Sequence, residues 1–554
     1  MTDSISKIET TLDALKHKGF TFVCKTDMGW FKLRGNLLQL TAESCECEIE
    51  LDPNFIELPK IRILEIPKCL PSVVPHLGSD GYLCYIAKGS VVLDIFDPIG
   101  QSLACIKRAE VVLAQILKGE MIQDLEEEFY AYWGGDQLCL VDMQEHNLGK
   151  QKTLVIETKT GLMPVVTDDE VRTVKKLKAL RHNLAEYTLL TYRIRTATKP
   201  RPHITFWPPK TVKEILAWQG LLDFRCRKKI EQRIQEGAAT KSNGALILIE
   251  SPLLTYGFIV FYNRAKYQDG KINLTRRREA VYSLKVSPVS VIRIDERYIA
   301  ERNIPGRKTL AGNKIAIVGC GTIGGYLAEM LVKSGAGTSG GQLILIDSDI
   351  LLPQNIGRHR LGFPNLFANK AVGLSEELCR LSPGADIRAL PVDVMQAQLG
   401  KLDLLIDATG EESLGHWLCE KYLKTMTMLT VWVEGPGTAV RALLHNTSDG
   451  ACYRCLYEAN KKGLFQTVVG SMPKIMAGQG CEGLYVPFPA TVSVQAASLG
   501  AEMVMNWANN TNSPSLQTRL TNNNFQLATD NCNPSKQENC PICNSSTLGL
   551  LRTT

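Results

Sequence analysis

Apolar and polar residues near the N-terminus follow one another in short blocks whose spacing predicts helices and strands. A helical pattern at 5–18 precedes strand-like alternation at 20–24, 30–40 and 45–51, and a second helical pattern follows at 110–118. Short strands combined with helices in this way are typical of a compact α+β domain. We place this domain at residues 1–150.

The middle of the chain shows strand-like runs at 154–157, 245–249, 256–262 and 289–294. These runs predict an α+β linker domain over 151–304. The linker domain is partly basic, because sixteen Lys and Arg residues stand against five Asp and Glu residues between 171 and 236. A solvated helical face explains this excess, and contact with an acidic protein is the alternative. Aromatic residues are not regularly interleaved and no nucleic-acid motif occurs, so the pattern does not favour nucleic acid as a partner.

The C-terminal part opens on a strand, a glycine turn, a helix and a second strand. A short apolar run at 315–318 meets Gly319, Gly321 and Gly324 at G-x-G-x-x-G spacing, and a second apolar run ends at Asp347. Glycines let backbone N–H groups approach a phosphate at a helix N-terminus, where the helix dipole favours negative charge. The pattern predicts a Rossmann-like nucleotide site and leaves NAD, FAD, S-adenosylmethionine and ATP open.

Composition describes an ordinary globular protein, since 44% of the 554 residues are hydrophobic and 22% are charged. No apolar run approaches the roughly 18 residues of a membrane span, and the N-terminus lacks the pattern of a secretion signal. We therefore expect a cytoplasmic protein without a membrane partner. Its 17 cysteines are expected to be reduced, with a few that bind metal or act as nucleophiles.

Charged residues beyond the second strand of the nucleotide unit favour ATP. Arg358 and Lys370 would neutralise the charge that builds up when an α-phosphate is attacked, and Asp407, at the end of an apolar strand, is placed to hold Mg²⁺. A dinucleotide dehydrogenase needs an acid for the ribose but not these further residues. Taken singly, each is also explained as a surface charge or a turn residue. The complete set is Asp347, Asp349, Asn355, Arg358, Lys370 and Asp407.

This ordered set resembles the adenylation domain shared by ubiquitin-activating enzymes and bacterial sulfur-carrier activators, over about residues 313–410. The resemblance implies a Rossmann-like α/β adenylation domain of the ThiF type over 305–554, with ATP and Mg²⁺ as cofactors. It implies ribose binding by Asp347, magnesium binding by Asp407, and phosphate binding by Asn355, Arg358 and Lys370. Arg302 is a further candidate for phosphate contact, and His359 has no assigned role.

Two cysteine pairs stand near the C-terminus, Cys452-x-x-Cys455 and Cys540-x-x-Cys543. Two such knuckles supply four soft thiolates, the ligand set that tetrahedral zinc prefers. We expect a structural Zn²⁺ here, as in the family that the adenylation domain resembles. Redox or catalytic use of either pair is the alternative, and Cys532 is a nearby cysteine outside the pairs.

Two further cysteines are candidate acyl carriers. Cys481 lies in a glycine-rich segment where the crossover loop of the adenylation family carries a thioester cysteine. Cys84 follows a loop-rich passage that resembles the active-site region of the ubiquitin-conjugating fold, with His76 eight residues before it. That fold has a His-Pro-Asn turn here, whereas this chain lacks the Asn credited with stabilising the oxyanion. An idle loop cysteine and a half-buried strand cysteine are the respective alternatives.

A conjugating-like domain followed by an adenylation domain resembles the bacterial fusion enzymes of CBASS anti-phage operons. The resemblance implies ATP-dependent activation of a partner protein's C-terminal carboxylate, first as an adenylate and then as a thioester, and transfer to an amine on a target. It implies a cGAS-like nucleotidyltransferase (CD-NTase) as the partner and a homodimer formed through the adenylation domain. A sulfur-carrier adenylyltransferase of the thiamine or molybdopterin type, an NAD-dependent oxidoreductase and a non-catalytic scaffold remain as alternatives.

Overall fold

The computed structural model describes residues 2–38, 44–135, 137–144, 147–240, 242–262, 274–446, 450–478 and 485–543. The chain divides into two compact units. The first comprises Met1–Leu140, Asn147–Val166 and Ala185–Ile292, and the second comprises Val141–His146, Thr167–Leu184 and Arg293–Thr554. Cys481, one of the two predicted acyl carriers, lies outside the described residues.

The first part of the chain folds as an α+β layer, as its sequence pattern predicts. Its elements are α1 (Thr2–His17), β1 (Thr21–Lys25), β2 (Phe31–Leu38), β3 (Ser44–Leu51), β4 (Lys60–Ile63) and α2 (Pro98–Leu117). The strands form an antiparallel sheet in the order β1-β2-β3-β4. Buried residues of α2, such as Ile106 and Leu113, share one core with Leu33 and Ile49 of the sheet. A 3₁₀ turn (Ile122–Leu125) and α3 (Phe129–Trp133) follow.

The start of α2 differs from the predicted helix at 110–118. The helix begins twelve residues earlier, at Pro98, because Asp97 caps it by accepting a hydrogen bond from the Gly100 N–H at 2.8 Å. Proline is favoured in the first helical turn, since its missing N–H would have no intrahelical partner there. Asp97 and Pro98 are thus a helix start that the periodicity alone does not reveal.

The middle of the chain forms a closed barrel in the strand order β10-β11-β5-β7-β6-β8-β9. All four predicted strand runs lie in it, and β5 does too, so the boundary predicted at 150 falls after the first barrel strand. The elements are β5 (Gln137–Asp142), β6 (Gly149–Thr158), β7 (Gly161–Thr167), α4 (Glu170–Ala179), β8 (Leu189–Arg195), α5 (Val212–Leu222), α6 (Phe224–Ala238), β9 (Gly244–Glu250), β10 (Thr255–Phe261), α7 (Leu274–Tyr282) and β11 (Val286–Arg293).

Part of the basic charge of the middle region is neutralised within the protein. Lys176 of α4 is buried, and its Nζ lies 2.6 Å from the Asp142 carboxylate and 2.7 Å from that of Glu296. Arg172, one helical turn earlier, pairs with Asp142 and Asp168. Buried charges need such partners, because desolvation of an unpaired charge costs several kcal/mol.

The last part of the chain is a seven-stranded sheet in the order β14-β13-β12-β15-β16-β17-β18. Its first five strands are parallel and the last two antiparallel. The elements are α8 (Glu296–Glu301), β12 (Lys314–Val318), α9 (Thr322–Lys333), β13 (Gln342–Ile346), α10 (Lys370–Leu381), β14 (Ile387–Leu390), β15 (Leu404–Asp407), α11 (Glu412–Tyr422), β16 (Thr427–Glu434), β17 (Ala439–His445), α12 (Tyr453–Lys461), α13 (Ala490–Ala508) and β18 (Leu516–Leu520).

The order of this sheet creates a place for a ligand. The chain passes from β12 to β13 on one side and later to β15 on the other, so the carboxyl ends of these strands diverge around a crevice. Open α/β sheets bind ligands at such topological switch points. Within the part of the chain that the structure describes, no helix combines the length and hydropathy needed to cross a membrane.

Candidate functional site

The carboxyl ends of β12, β13 and β15 surround a cavity of about 750 Å³. Six of the nine residues predicted to bind ATP line it, and three described residues of that set, Gly324, Asn355 and Asp407, do not. Asp393 and Glu411 line the cavity as well, and neither was predicted as a site residue. The six predicted residues are Gly319, Gly321, Asp347, Asp349, Arg358 and Lys370.

The three glycines have different structural tasks. Gly319 has a φ of 87°, and a Cβ there would lie 2.9 Å from the Cα of Thr409, so only glycine allows the turn to approach the end of β15. A Cβ at Gly324 would collide with the carbonyl oxygen of Gly319. Gly321 is the N-cap of α9 and has open space in front of it. Gly321, Thr322 and Ile323 line the cavity, so the N-terminus of α9 opens onto it, as phosphate binding requires.

Asp347 fixes the glycine turn to the end of β13. Its two carboxylate oxygens accept hydrogen bonds from the N–H of Cys320 at 2.7 Å and of Asp349 at 2.8 Å. Burial raises the pKa of Asp347, although these hydrogen bonds and the charge of Lys370 act in the opposite direction. Lys370, the first residue of α10, lies with its Nζ 2.9 Å from the Asp349 carboxylate. Lys370, Asp347 and Asp349 therefore line the cavity next to the glycine turn.

Arg358 joins this cavity to the segment that follows Cys481 in the sequence. Its Nη1 donates to the carbonyl oxygen of Val486 at 2.9 Å, and its guanidinium lies 4.2 Å from the ring centroid of Phe488. Burial lowers the pKa of Arg358. Val486 and Phe488 line the same cavity as the glycine turn, so the arginine lies between the turn and this segment.

His359, to which the sequence assigned no role, is buried and binds the backbone of the glycine turn at Cys320. Its Nδ1 accepts a hydrogen bond from the N–H of Leu361 at 2.9 Å, which leaves Nε2 as the donor to the Cys320 carbonyl at 2.9 Å. Burial lowers the pKa of His359 to about 4, so the ring is neutral near pH 7. Both backbone groups of Cys320 are thus held, one by Asp347 and the other by His359.

Asp407 ends β15 and is 2% exposed. One carboxylate oxygen accepts from the hydroxyl of Thr409 at 2.7 Å and from its N–H at 3.1 Å. The other oxygen faces Gly415 of α11, where a Cβ would lie 2.9 Å from it. Burial raises the pKa of Asp407 to about 6. The predicted magnesium ligand is therefore a buried acid behind the cavity wall.

Two other candidates lie away from the cavity. Asn355 ends the 3₁₀ turn Pro353–Asn355, where its side-chain oxygen accepts from the N–H of Leu352 at 3.0 Å. Arg302 caps the C-terminus of α8 and is exposed. Their roles in phosphate binding stay predictions.

The four cysteines of the two C-x-x-C pairs meet in one place. All four Sγ atoms lie within 4.8 Å of one another, and three of the pairs are 3.5, 3.6 and 3.7 Å apart. Zn–S bonds of about 2.3 Å in a tetrahedron place sulfur atoms about 3.8 Å apart, so this cluster has the size of a zinc site. Cys532 is not a member of the cluster.

Cys84 lies in the first unit and is exposed, in contrast to the buried Leu83 and Tyr85 beside it. Its N–H donates to the carbonyl oxygen of His76 at 2.7 Å. The His76 ring lies between two acids that the sequence did not single out, with Nε2 2.9 Å from Asp124 and Nδ1 2.7 Å from Glu128. The two residues predicted at this site are therefore joined directly through the backbone.

Two family models match the sequence in the order that these sites imply. The model described as prokaryotic E2 family B matches residues 33–137, and the model described as the ThiF family matches residues 296–542. The chain thus joins an E2-like, ubiquitin-conjugating domain to an E1-like adenylation domain.

Relatives share this arrangement over nearly their whole length. The ATP-dependent ubiquitin transferase-like protein Cap2 of Pseudomonas aeruginosa (strain BWHPSA011 / Pa011) is 59% identical over 98% of this chain and 100% of its own. Cap2 of Escherichia coli (strain TW11681) is 27% identical over 90% of both chains. A crystal structure of E. coli MccB aligns with 42% of this chain and 67% of its own, at 18% identity and a TM-score of 0.32.

The chain therefore belongs to the Cap2 family of ATP-dependent ubiquitin transferase-like proteins. It is an enzyme of ubiquitin-like conjugation with E1-like and E2-like domains, and its ThiF domain uses ATP. The oxidoreductase, sulfur-carrier and scaffold alternatives do not account for this combination of domains.

We expect Gly321→Ala and Gly324→Ala to separate nucleotide binding from folding. A methyl group at position 321 meets no atom within 4 Å, so this variant should keep its melting temperature, but it should bind ATP at least about tenfold more weakly because the methyl occupies phosphate space. The 324 variant should melt at a lower temperature because its methyl collides with Gly319. Calorimetric titration with ATP and thermal melting measure the two effects. Unchanged ATP affinity in Gly321→Ala would place the phosphates elsewhere.

The buried carboxylate of Asp407 should make stability depend on pH. Its pKa of about 6 in the folded state lies above the ordinary value of 3.8, so the native protein loses stability as pH rises through this interval. At neutral pH the charge costs about 3 kcal/mol, and Asp407→Asn should recover much of it. Denaturant unfolding at neutral and acidic pH measures this difference, which should shrink on acidification. A pH-independent difference would exclude the carboxylate as its origin.

Proposed function

We propose that this chain adenylates the C-terminal carboxylate of a protein partner with ATP and Mg²⁺, carries the acyl group as a thioester on Cys481 and then Cys84, and delivers it to an amine. One observation carries the proposal: the glycine turn, Asp347, Lys370 and Arg358 converge on one cavity in a chain that also has an exposed cysteine in an E2-like domain.

The adenylation step makes use of the charges around the glycine turn. A carboxylate oxygen of the partner attacks the α-phosphorus of ATP, the bond to the β-phosphate breaks, and pyrophosphate leaves. The N–H groups at the start of α9 bind phosphate oxygens, and Lys370 and Arg358 neutralise the charge that develops in the transition state. Asp347 would hold the ribose, as its place at the end of β13 suggests.

The acids near the cavity fit a magnesium ion. Asp349, Asp393 and Glu411 line the cavity and supply the hard oxygen ligands that Mg²⁺ prefers, and Asp407 lies buried at the adjoining strand end. When bound, the ion would offset negative charge on the triphosphate. We propose that Asp407 takes part from the strand end directly before Ala408 and Thr409, two residues that line the cavity.

The position of Cys481 in the chain supports its role as the first acyl carrier. It lies between Ala477 and Tyr485, which exchange two backbone hydrogen bonds of 2.9 Å. The residues directly after this pair, Val486 and Phe488, contact Arg358 at the nucleotide cavity. The thiolate would attack the mixed anhydride and expel AMP, and thiol exchange would then move the acyl group to Cys84.

The identity of the partner follows from the resemblance to CBASS fusion enzymes. We propose a CD-NTase as the protein that is activated, a lysine amine as the acceptor, and a homodimer of adenylation domains as the working form.

Substitution of each cysteine should stop the proposed relay at a different step. The chain is incubated with ATP, Mg²⁺ and the purified candidate CD-NTase, and the Cys84 and Cys481 peptides are analysed by non-reducing mass spectrometry. Cys481→Ala should retain pyrophosphate exchange and form no thioester, and Cys84→Ala should retain the acyl group on Cys481. Arg358→Ala should lower exchange by at least about a hundredfold.

Cys24→Ala is the matched control, because Cys24 is another exposed cysteine and lies on β1 of the same α+β part of the chain. It should conjugate at the rate of the native chain. Normal conjugation by Cys84→Ala would refute the transfer role, and pyrophosphate exchange that survives in Arg358→Ala would refute its assignment to the phosphates.

We further propose that the four clustered cysteines hold a structural zinc ion. Cys452→Ser should destabilise the second unit by at least about 3 kcal/mol and release one equivalent of zinc, because structural zinc contributes directly to folding. Cys532→Ser, a nearby change outside the cluster, should do neither. Metal analysis and denaturant unfolding measure both effects, and equal zinc content in the two variants would refute the site.

A further inference from the structure

The backbone at His76 adopts a conformation that side chains rarely take. Its φ is 62°, in the left-handed region, where residues other than glycine are held at an energetic cost. Strain of this kind persists only where surrounding contacts fix it, and it is concentrated at functional sites. The question is therefore which contacts hold His76 in place.

Two carboxylates hold it through three contacts. Glu128 accepts from the backbone N–H of His76 at 3.1 Å and lies 2.7 Å from its Nδ1. Asp124 lies 2.9 Å from its Nε2. Because Glu128 binds both the backbone N–H and the ring, it holds the ring of His76 in one orientation relative to its backbone.

His76 in turn fixes Cys84. The carbonyl oxygen of His76 accepts the Cys84 N–H at 2.7 Å, next to the point where Leu83 donates to Ile61 of β4 at 2.9 Å. A rotation of the peptide that follows His76 would move this carbonyl and release the N–H of Cys84. The position of the cysteine backbone thus depends on the conformation of His76.

The segment that directly follows Glu128 is packed into the core of the barrel. Phe129, the next residue, and Trp133 are fully buried among the aromatic rings of the barrel core, including Trp218 and Tyr256. The backbone carbonyl of Tyr132 accepts a hydrogen bond from Trp207 Nε1 at 2.8 Å. The Tyr132 hydroxyl donates to the Val74 carbonyl at 2.6 Å. Rigid packing of this kind suits a residue that must hold a strained neighbour.

We propose that Glu128 is a positioning residue for Cys84 that acts through His76, so that the segment packed into the barrel completes the transfer site. The role rests on the proposed function of Cys84 as the second acyl carrier. It gives this chain a substitute for part of the missing His-Pro-Asn turn: the loop before the cysteine is held by a carboxylate from the segment after α2. Loss of that carboxylate should misplace the thioester relative to the attacking amine.

The charge of Glu128 supplies a second, independent readout. Burial raises the pKa of the Cys84 thiol, and the negative charge of Glu128 raises it further. Removal of this charge should therefore lower the pKa of Cys84, and alkylation of the thiol should reach its half-maximal rate at a lower pH. A purely structural contact elsewhere in the domain would not move this profile in that direction.

The test compares Glu128→Gln with Glu127→Gln in the full chain. Glu127 is the neighbouring exposed acid, so both variants lose one negative charge at nearly the same place in the sequence. Iodoacetamide labelling of Cys84 across the neutral to alkaline range should shift to lower pH only in Glu128→Gln. In single-turnover transfer from the Cys84 thioester to hydroxylamine, Glu128→Gln should lower the maximal rate by about ten- to a hundredfold with little change in the half-saturating concentration.

His76→Asn provides a second variant that tolerates the left-handed backbone but loses the ring contacts. If Glu128 acts through His76, the double variant should transfer no more slowly than the slower single variant. Additive losses, or a Glu128→Gln variant with the labelling profile and transfer rate of Glu127→Gln, would overturn the proposal. Absence of any acyl group on Cys84 in the native chain would refute the proposed function instead, and the labelling profile would still decide the link between Glu128 and the thiol.

Discussion

The candidate nucleotide site depends on the close approach of the glycine turn to the end of β15. Gly319 has no side chain, and its Cα comes so near Thr409 that any Cβ would press against the backbone there. The residue after it, Cys320, has its N–H held by Asp347 and its carbonyl by His359. With the turn fixed on three sides, the N–H groups that open α9 point in one direction. The other residues that line the cavity, such as Lys370 and Arg358, can contact a bound phosphate only if the start of α9 is held in this position.

Acids in this chain differ in whether hydrogen bonds or burial decide the direction in which their pKa shifts. Asp223 caps α6. Burial acts to raise the pKa of its carboxyl, but hydrogen bonds from Cys226, Thr196 and Arg225 and the charge of Lys229 outweigh burial, so the pKa is lowered. Asp407 and Asp347 also accept two hydrogen bonds each, yet burial prevails and raises their pKa values. The surroundings of Asp223 stabilise its ionised form, whereas burial makes the ionised forms of Asp347 and Asp407 less stable than they would be in water. This contrast is consistent with the proposed roles of Asp347 and Asp407 at the nucleotide.

Local patterns in the sequence predicted the βαβ unit, the cysteine cluster and the barrel strands, because each depends on spacing within a short segment or on a repeated ligand type. They did not predict that the Asp407 carboxylate is buried against Thr409 and Gly415, since a strand end fixes the position of the Cα atom but not the contacts of the side chain. They also missed the contact of Arg358 with Val486, which joins residues 128 positions apart. Asp124 and Glu128 belong to no motif, so only the folded backbone brings them to His76.

The E2-like domain that the family model matches includes α3, but the side chains of α3 pack in the core of the barrel. The family model ends at residue 137, the first residue of β5 and four residues after the end of α3. Yet Phe129 and Trp133 of α3 stack on Trp218 at centroid distances of 6.0 and 5.5 Å, and Trp133 donates to the carbonyl of Gly257 in β10 at 3.0 Å. Glu128 is held beside His76 by this aromatic core rather than by the sheet of the E2-like domain. The barrel is therefore more than a connecting segment of the chain, because its core anchors the carboxylate nearest to the strained residue that holds Cys84.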